Sequence, residues 1–140
     1  MVSAKHLVSG QKIGECHHLL QNWQSQLQFI TDELAFIDKL LNSYGFEPQT
    51  PNLFERLELF KSKLAQSKQE KKELLKALVA QENMVDGSFE CNDGKCDDAF
   101  CRSFNQLMDK ITIYFANYQA LKLDIYAYAG SILKKRKPAF

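Results

Sequence analysis

The residues of this chain that are best suited to chemistry are its four cysteines and three histidines. Most of them fall into two distant segments, with Cys16, His17 and His18 in the first and Cys91, Cys96 and Cys101 in the second. Zinc is held by four sulfur or nitrogen ligands in a tetrahedron, so a fold that joins these segments would offer a zinc site. A disulfide among the last three cysteines and a set of reduced thiols are the alternatives.

The elements that would position these residues follow from the scarcity of glycine and proline. The chain has 140 residues but only six glycines and three prolines, about half of the average usage. Three stretches contain neither residue: 15–44, 52–86 and 95–129. Because strands are far shorter than this, we expect three helices over about residues 11–44, 51–85 and 96–136. Residues 1–10 are expected to form a flexible N-terminal arm.

Apolar residues recur at alternating intervals of three and four in the first and third stretches. The first series runs from Ile13 to Tyr44 and the other from Phe100 to Ile132. This is the spacing of the buried a and d positions of a coiled coil. Met108 and Phe115 are expected to widen the buried face of the third helix. The two series therefore predict helices that pack along their whole length.

The second stretch has the same spacing, but its apolar seam is interrupted by polar residues. Ser67 and Lys71 occupy seam positions between Leu64 and Leu74. We expect a buried polar layer there, opposite residues 24–28 and near Tyr114. Such a layer fixes the register of packed helices at some cost in stability.

The boundaries between the stretches set the topology. Thr50-Pro51 is typical of a cap followed by the first helical residue, and Gly87 suits the position after a helix. Short connections make successive helices antiparallel neighbours. The sequence therefore predicts a single all-α domain over residues 1–140, an elongated antiparallel up-down-up three-helix bundle with coiled-coil-like heptad packing. Its first and third helices begin at the same end, where the two cysteine and histidine segments would meet.

Several large apolar residues fall outside the predicted seams. They are Phe29, Phe36 and Leu40 in the first helix and Ile113 and Leu123 in the third. One interpretation is that packing of the three helices covers them. The other is that they form a second interface, for a homodimer or for a helix of another protein, because exposed aligned aromatics mark protein contacts.

Composition and missing motifs exclude most other functions. With 18 basic and 17 acidic residues the net charge is +1, without the basic excess of a nucleic-acid binder. The basic run 134–137 opposes the dipole of a helix end or contacts an anionic surface. No phosphate loop, nucleophile elbow or His-Glu-x-x-His motif is present, so we expect no enzymatic activity, no small-molecule substrate and no cofactor, zinc being the alternative.

The localisation and function of the protein are predicted from the targeting signals and motifs that the sequence lacks. No segment approaches the roughly 20 apolar residues of a membrane span, and the N-terminus lacks the apolar core of a secretory signal. The sequence therefore predicts a cytoplasmic protein. Its expected function is protein–protein interaction or self-association, with a thiol or metal site at one end of the bundle as the alternative.

Overall fold

The computed structural model of the protein describes residues 6–7, 14–43, 51–91 and 97–135. In this part of the chain there are three helices and no strands: α1 (Gly14–Leu41), α2 (Pro51–Cys91) and α3 (Asp98–Lys135). α2 packs against both α1 and α3. The predicted all-α three-helix bundle is therefore confirmed.

The helix ends agree with the sequence at some boundaries and differ at others. α2 begins at Pro51 as predicted, but it continues through Gly87 to Cys91. A single glycine costs a helix only about 1 kcal/mol relative to alanine, too little to end it there. At the start of α3, Asp97 is the cap, because its Oδ1 accepts a hydrogen bond of 2.7 Å from the backbone N–H of Phe100.

Side-chain contacts give the directions of the helices. Asp38 in α1 lies 3.3 Å from Lys68 in α2, and the hydroxyl of Tyr128 in α3 donates to the carbonyl of Leu53 in α2 at 2.9 Å. Trp23 and Phe104 pack with their ring centres 5.5 Å apart. α1 and α3 are therefore parallel to each other and antiparallel to α2, which is the predicted up-down-up order.

The predicted seams of α1 and α3 form the core. In α1 every seam residue from Cys16 to Leu41 is buried. The core is wider in α3, because four residues beside the seam are also buried: Cys101, Met108, Phe115 and Ala129. The burial of Met108 and Phe115 was predicted from the sequence. This width lets α3 cover both of the other helices.

The polar layer of α2 is buried as the sequence predicts. Ser67 Oγ lies 3.0 Å from the hydroxyl of Tyr114, which also donates to the backbone carbonyl of Ser67 at 3.1 Å. Lys71 and Gln81 are buried at further seam positions, and within the described residues the Gln81 amide nitrogen has no hydrogen-bond partner. Gln81 was not predicted as part of the layer, although it continues the seam spacing of Ser67 and Lys71.

The partner of this layer on α1 differs from the one predicted. Lys71 interacts electrostatically with Asp32, and its neighbour Lys68 pairs with Asp38. The layer therefore lies about one to three turns beyond residue 28 of α1. The physical reason is an offset along the helix axes: with Lys68 opposite Asp38, the first turns of α2 extend past the end of α1 at Leu41.

A second polar cluster joins α1 to α3. The hydroxyl of Tyr118 donates to the carboxylate of Glu33, and Lys122 Nζ lies 3.2 Å from the same carboxylate. Burial, followed by the hydrogen bond to Glu33, raises the pKa of Tyr118 well above its ordinary value. The fold therefore holds this phenol in its neutral form.

We expect Tyr118→Phe to flatten the loss of stability at high pH. A phenol whose pKa is raised by folding stabilises the protein below pH 10, and this contribution is lost as the pH rises above 10. Burial also raises the pKa of Tyr114 and Tyr128, so the wild-type protein should lose stability as the pH rises above 10. The measurement is the urea midpoint at pH 8 to 11.5, with tyrosinate absorbance recorded in parallel. A wild-type pH profile in the variant would contradict the role of Tyr118.

Candidate functional site

The cysteine and histidine segments meet only in part. The starts of α1 and α3 share one end of the bundle, as predicted, and Cys16 and Cys101 are both buried in the core there. His17 and His18 are exposed, and the His17 ring lies 3.1 Å from the side-chain amide of Gln21. The thiol and the imidazoles of α1 therefore point to different environments.

The described residues contain no group of three or more potential ligands that could hold a metal ion. Cys96 and the side chain of Cys91 lie outside those residues. Because the predicted zinc site and the predicted disulfide draw on these two cysteines, the zinc site, the disulfide and the reduced thiols all stay predictions. What the bundle does establish is that Cys16 takes a core position, where a small apolar residue also fits.

The apolar residues proposed for an interface are exposed, with one exception. Phe29, Phe36, Ile113 and Leu123 all have most of their side-chain surface in solvent. Leu40 is half-buried and packs against the core. Burial by the bundle therefore accounts for Leu40 and leaves the other four uncovered.

Phe29, Phe36 and Ile113 do not form one patch. Phe29 and Phe36 are seven residues apart and lie on one line along α1. Ile113 is nine residues from Lys122, or two and a half turns, so it lies on the side of α3 opposite Lys122. Because Lys122 contacts α1 through Glu33, Ile113 faces away from α1. The aromatic line of α1 is therefore a surface of its own.

The outer surface of α1 is also poor in charge. Between His18 and Lys39 the exposed residues include a single charged side chain, Asp32. The others are Gln21, Asn22, Gln24, Ser25, Gln28, Phe29, Ala35 and Phe36. We call this set, with Asp32, the outer α1 face. In a chain with 25% charged residues, one charge among nine exposed positions is a local depletion.

The remaining helices show where the charge lies. Between Lys110 and Asp124 the exposed residues of α3 carry no charge. α2 is different, because its exposed surface bears Glu55, Arg56, Glu58, Lys63, Lys72, Glu73 and Lys76. The bundle therefore has a charged side, formed by α2, and charge-poor surfaces on α1 and α3.

Sequence reasoning missed several exposed apolar residues, namely Phe54, Leu59, Val79, Met84 and Tyr126. Their signal was the same as for Phe29, since each lies off the a and d seams. Phe54 and Leu59 alternate with charged residues of α2. They therefore give no continuous surface comparable to the outer α1 face.

The described part of the N-terminal arm is docked on α3. The side-chain amide of Asn105 accepts from the backbone N–H of Leu7 at 2.8 Å and donates to its carbonyl at 3.0 Å. His6 Nε2 lies 2.7 Å from Asp109, and Leu7 packs against the core. No sequence pattern indicated this contact, because it joins residues about a hundred positions apart.

A cleft of about 290 Å³ lies between α2 and α3, beside the polar layer. Its lining residues are Lys63, Gln66, Ser67, Glu70, Tyr114, Asn117, Tyr118, Ala120, Leu121 and Asp124. The hydroxyl groups of Tyr114 and Tyr118 are already engaged within the bundle. The cleft contains none of the site residues predicted from the sequence.

Comparisons with protein-family models, with curated proteins and with solved structures found no match to this chain. Among the residues that the structure describes, no helix combines the length and apolar character needed to cross a membrane. In the basic run 134–137, α3 ends at Lys135, and residues 136–137 lie outside the described ranges. Of the two charge-poor surfaces, the outer α1 face is the one that carries two aligned and exposed aromatic side chains, Phe29 and Phe36.

Proposed function

We propose that this protein is a non-enzymatic interaction module whose binding surface is the outer α1 face. The observation that carries the proposal is the pair Phe29 and Phe36, aligned and exposed on a surface with one charged residue. The function is contact with another protein surface, and the bundle serves as a rigid support for it.

The composition of the outer α1 face favours binding over exposure to solvent. The centres of protein interfaces are depleted in charged residues and enriched in aromatic ones. Burying the exposed part of each phenylalanine would stabilise a complex by about 1–2 kcal/mol. The neighbouring glutamine, asparagine and serine side chains can form hydrogen bonds without the desolvation penalty of a buried charge. Both features favour docking over permanent exposure.

The bundle contains a matched control for this proposal. Phe36 on α1 is 58% exposed and Phe54 on α2 is 54% exposed. The two residues match in type and exposure and differ in the helix that carries them: Phe36 lies on the outer α1 face, and Phe54 lies on the charged side formed by α2.

The test places a photo-crosslinking phenylalanine derivative at position 36 or at position 54, in cells that express the chain. We expect a covalent adduct of one discrete mass from position 36 and none from position 54, because only the outer α1 face is held against another protein. Equal adduct patterns from both positions, or no adduct from position 36, would refute the proposal.

A further inference from the structure

Two exposed charges of opposite sign lie at the C-terminal end of the outer α1 face, one within it and one at its border. Asp32 lies within the face and Lys39 borders it. They are seven residues apart, so they lie on one line of the helix, about 10 Å from each other. Within the described residues neither lies within ion-pair distance of an opposite charge, and Asp32 interacts with Lys71 only at longer range. A partner that binds this face must accommodate both charges.

We infer, on the basis of the proposed function, that the partner is a second copy of this chain whose α1 lies antiparallel across the first. In this arrangement Asp32 of each copy faces Lys39 of the other, and the two-fold axis passes between residues 35 and 36. A parallel copy in register would instead place Asp32 against Asp32 and Lys39 against Lys39, which is repulsive. The charge pattern therefore complements itself in only one of these two directions.

The residues at the axis suit a close helix contact. Ala35 has a small side chain, which lets two helices approach, and Phe36 would pack on Ala35 of the other copy. Two-fold dimers of this kind are the commonest homo-oligomers, and in them each contact occurs twice. The dimer contact therefore contains the Phe36–Ala35 contact twice and the Asp32–Lys39 ion pair twice, all from one short segment of α1.

The inference is tested with the charge-reversal variants Asp32→Lys and Lys39→Asp. In the antiparallel dimer each single variant places like charges together twice, so we expect its dimer dissociation constant to rise about tenfold or more by sedimentation equilibrium. A mixture of the two variants has opposite charges at both contacts, and the mixed dimer should form with about the wild-type affinity. The double variant Asp32→Lys/Lys39→Asp should also recover it.

Three results would overturn the inference. They are a wild-type chain that stays monomeric up to about 100 μM, single variants that dimerise like the wild type, and a mixture that fails to form the mixed dimer. Because Asp32 also interacts electrostatically with Lys71, thermal unfolding of each variant is recorded to confirm that the bundle is intact.

The crosslinking experiment separates this inference from the proposed function. An adduct at twice the chain mass of 16.1 kDa supports both. An adduct of another mass overturns the second copy as partner and leaves the interaction function standing. The absence of any adduct from position 36 removes the proposed function itself.

Discussion

Phe104→Ala is expected to lower the free energy of unfolding by about 3–5 kcal/mol, the usual cost of removing a fully buried phenylalanine. Phe104 is 0% exposed. Its ring lies 5.5 Å from that of Trp23 and 5.9 Å from that of Phe100. Truncation leaves a cavity where α1 and α3 are joined, and two rigid aromatic rings cannot collapse to fill it.

Phe29→Ala is the matched control, because Phe29 is 62% exposed. A surface substitution of this kind changes stability by only about 0.5 kcal/mol or less. Both variants are measured by urea unfolding followed by circular dichroism, at a concentration below that of any self-association. Equal losses in the two variants would mean that the core and the outer α1 face are wrongly assigned.

Lys71→Leu is expected to stabilise the bundle by about 1 kcal/mol, because an apolar side chain of similar size replaces a lysine whose stem is buried in the seam and whose charge is partly desolvated. Lys71 is 7% exposed and occupies a seam position between Leu64 and Leu78. Burial, together with the nearby charges of Lys72 and Lys68, lowers the pKa of Lys71 below its ordinary value. The folded protein therefore carries this cation at a cost.

The pH dependence of this effect has a defined sign. A lysine whose pKa is lowered by folding destabilises the protein below that pKa, since the unfolded chain binds the proton more tightly. The penalty is relieved as the pH rises from the lowered pKa towards 10.5. The advantage of Lys71→Leu over the wild type should therefore be greatest near neutral pH and decrease on the alkaline side.

Lys72→Leu is the control for Lys71→Leu, since it removes the same charge one residue further along, from an exposed position. We expect a change within about 0.5 kcal/mol. Both variants are compared by thermal unfolding at pH 7. If Lys71→Leu lowers the melting temperature, the buried polar layer is not a cost and the interpretation of the α2 seam is wrong.

Much of the fold could be predicted because its signals are local. The gaps between glycine and proline predicted three helices, and the spacing of residues such as Leu27, Ile37 and Tyr118 predicted which side of each helix is buried. The end of α2 was misplaced because the helical penalty of Gly87 is small against the hydrogen bonds that continue through it. Local propensity therefore defines elements better than it defines their ends.

The candidate surface was only partly predictable. That Phe29 and Phe36 lie outside the seam follows from the heptad pattern alone. The same pattern also places Leu40 and Ile113 outside the seam. In the structure Leu40 packs against the core, whereas Ile113 lies on a side of α3 that faces away from α1. The sequence could not separate these residues, because their surroundings depend on which neighbouring helix covers each side.

The sequence by itself determined the class of the fold, the three helices, their up-down-up order and most of the core, since each follows from spacing along one helix or from short connections. Only the tertiary structure decided the offset of α1 and α2, seen in the pairing of Asp38 with Lys68, and the docking of Leu7 on Asn105. It also decided which surfaces stay uncovered and poor in charge. These features depend on contacts between distant segments, whose energies are set by how whole helices pack.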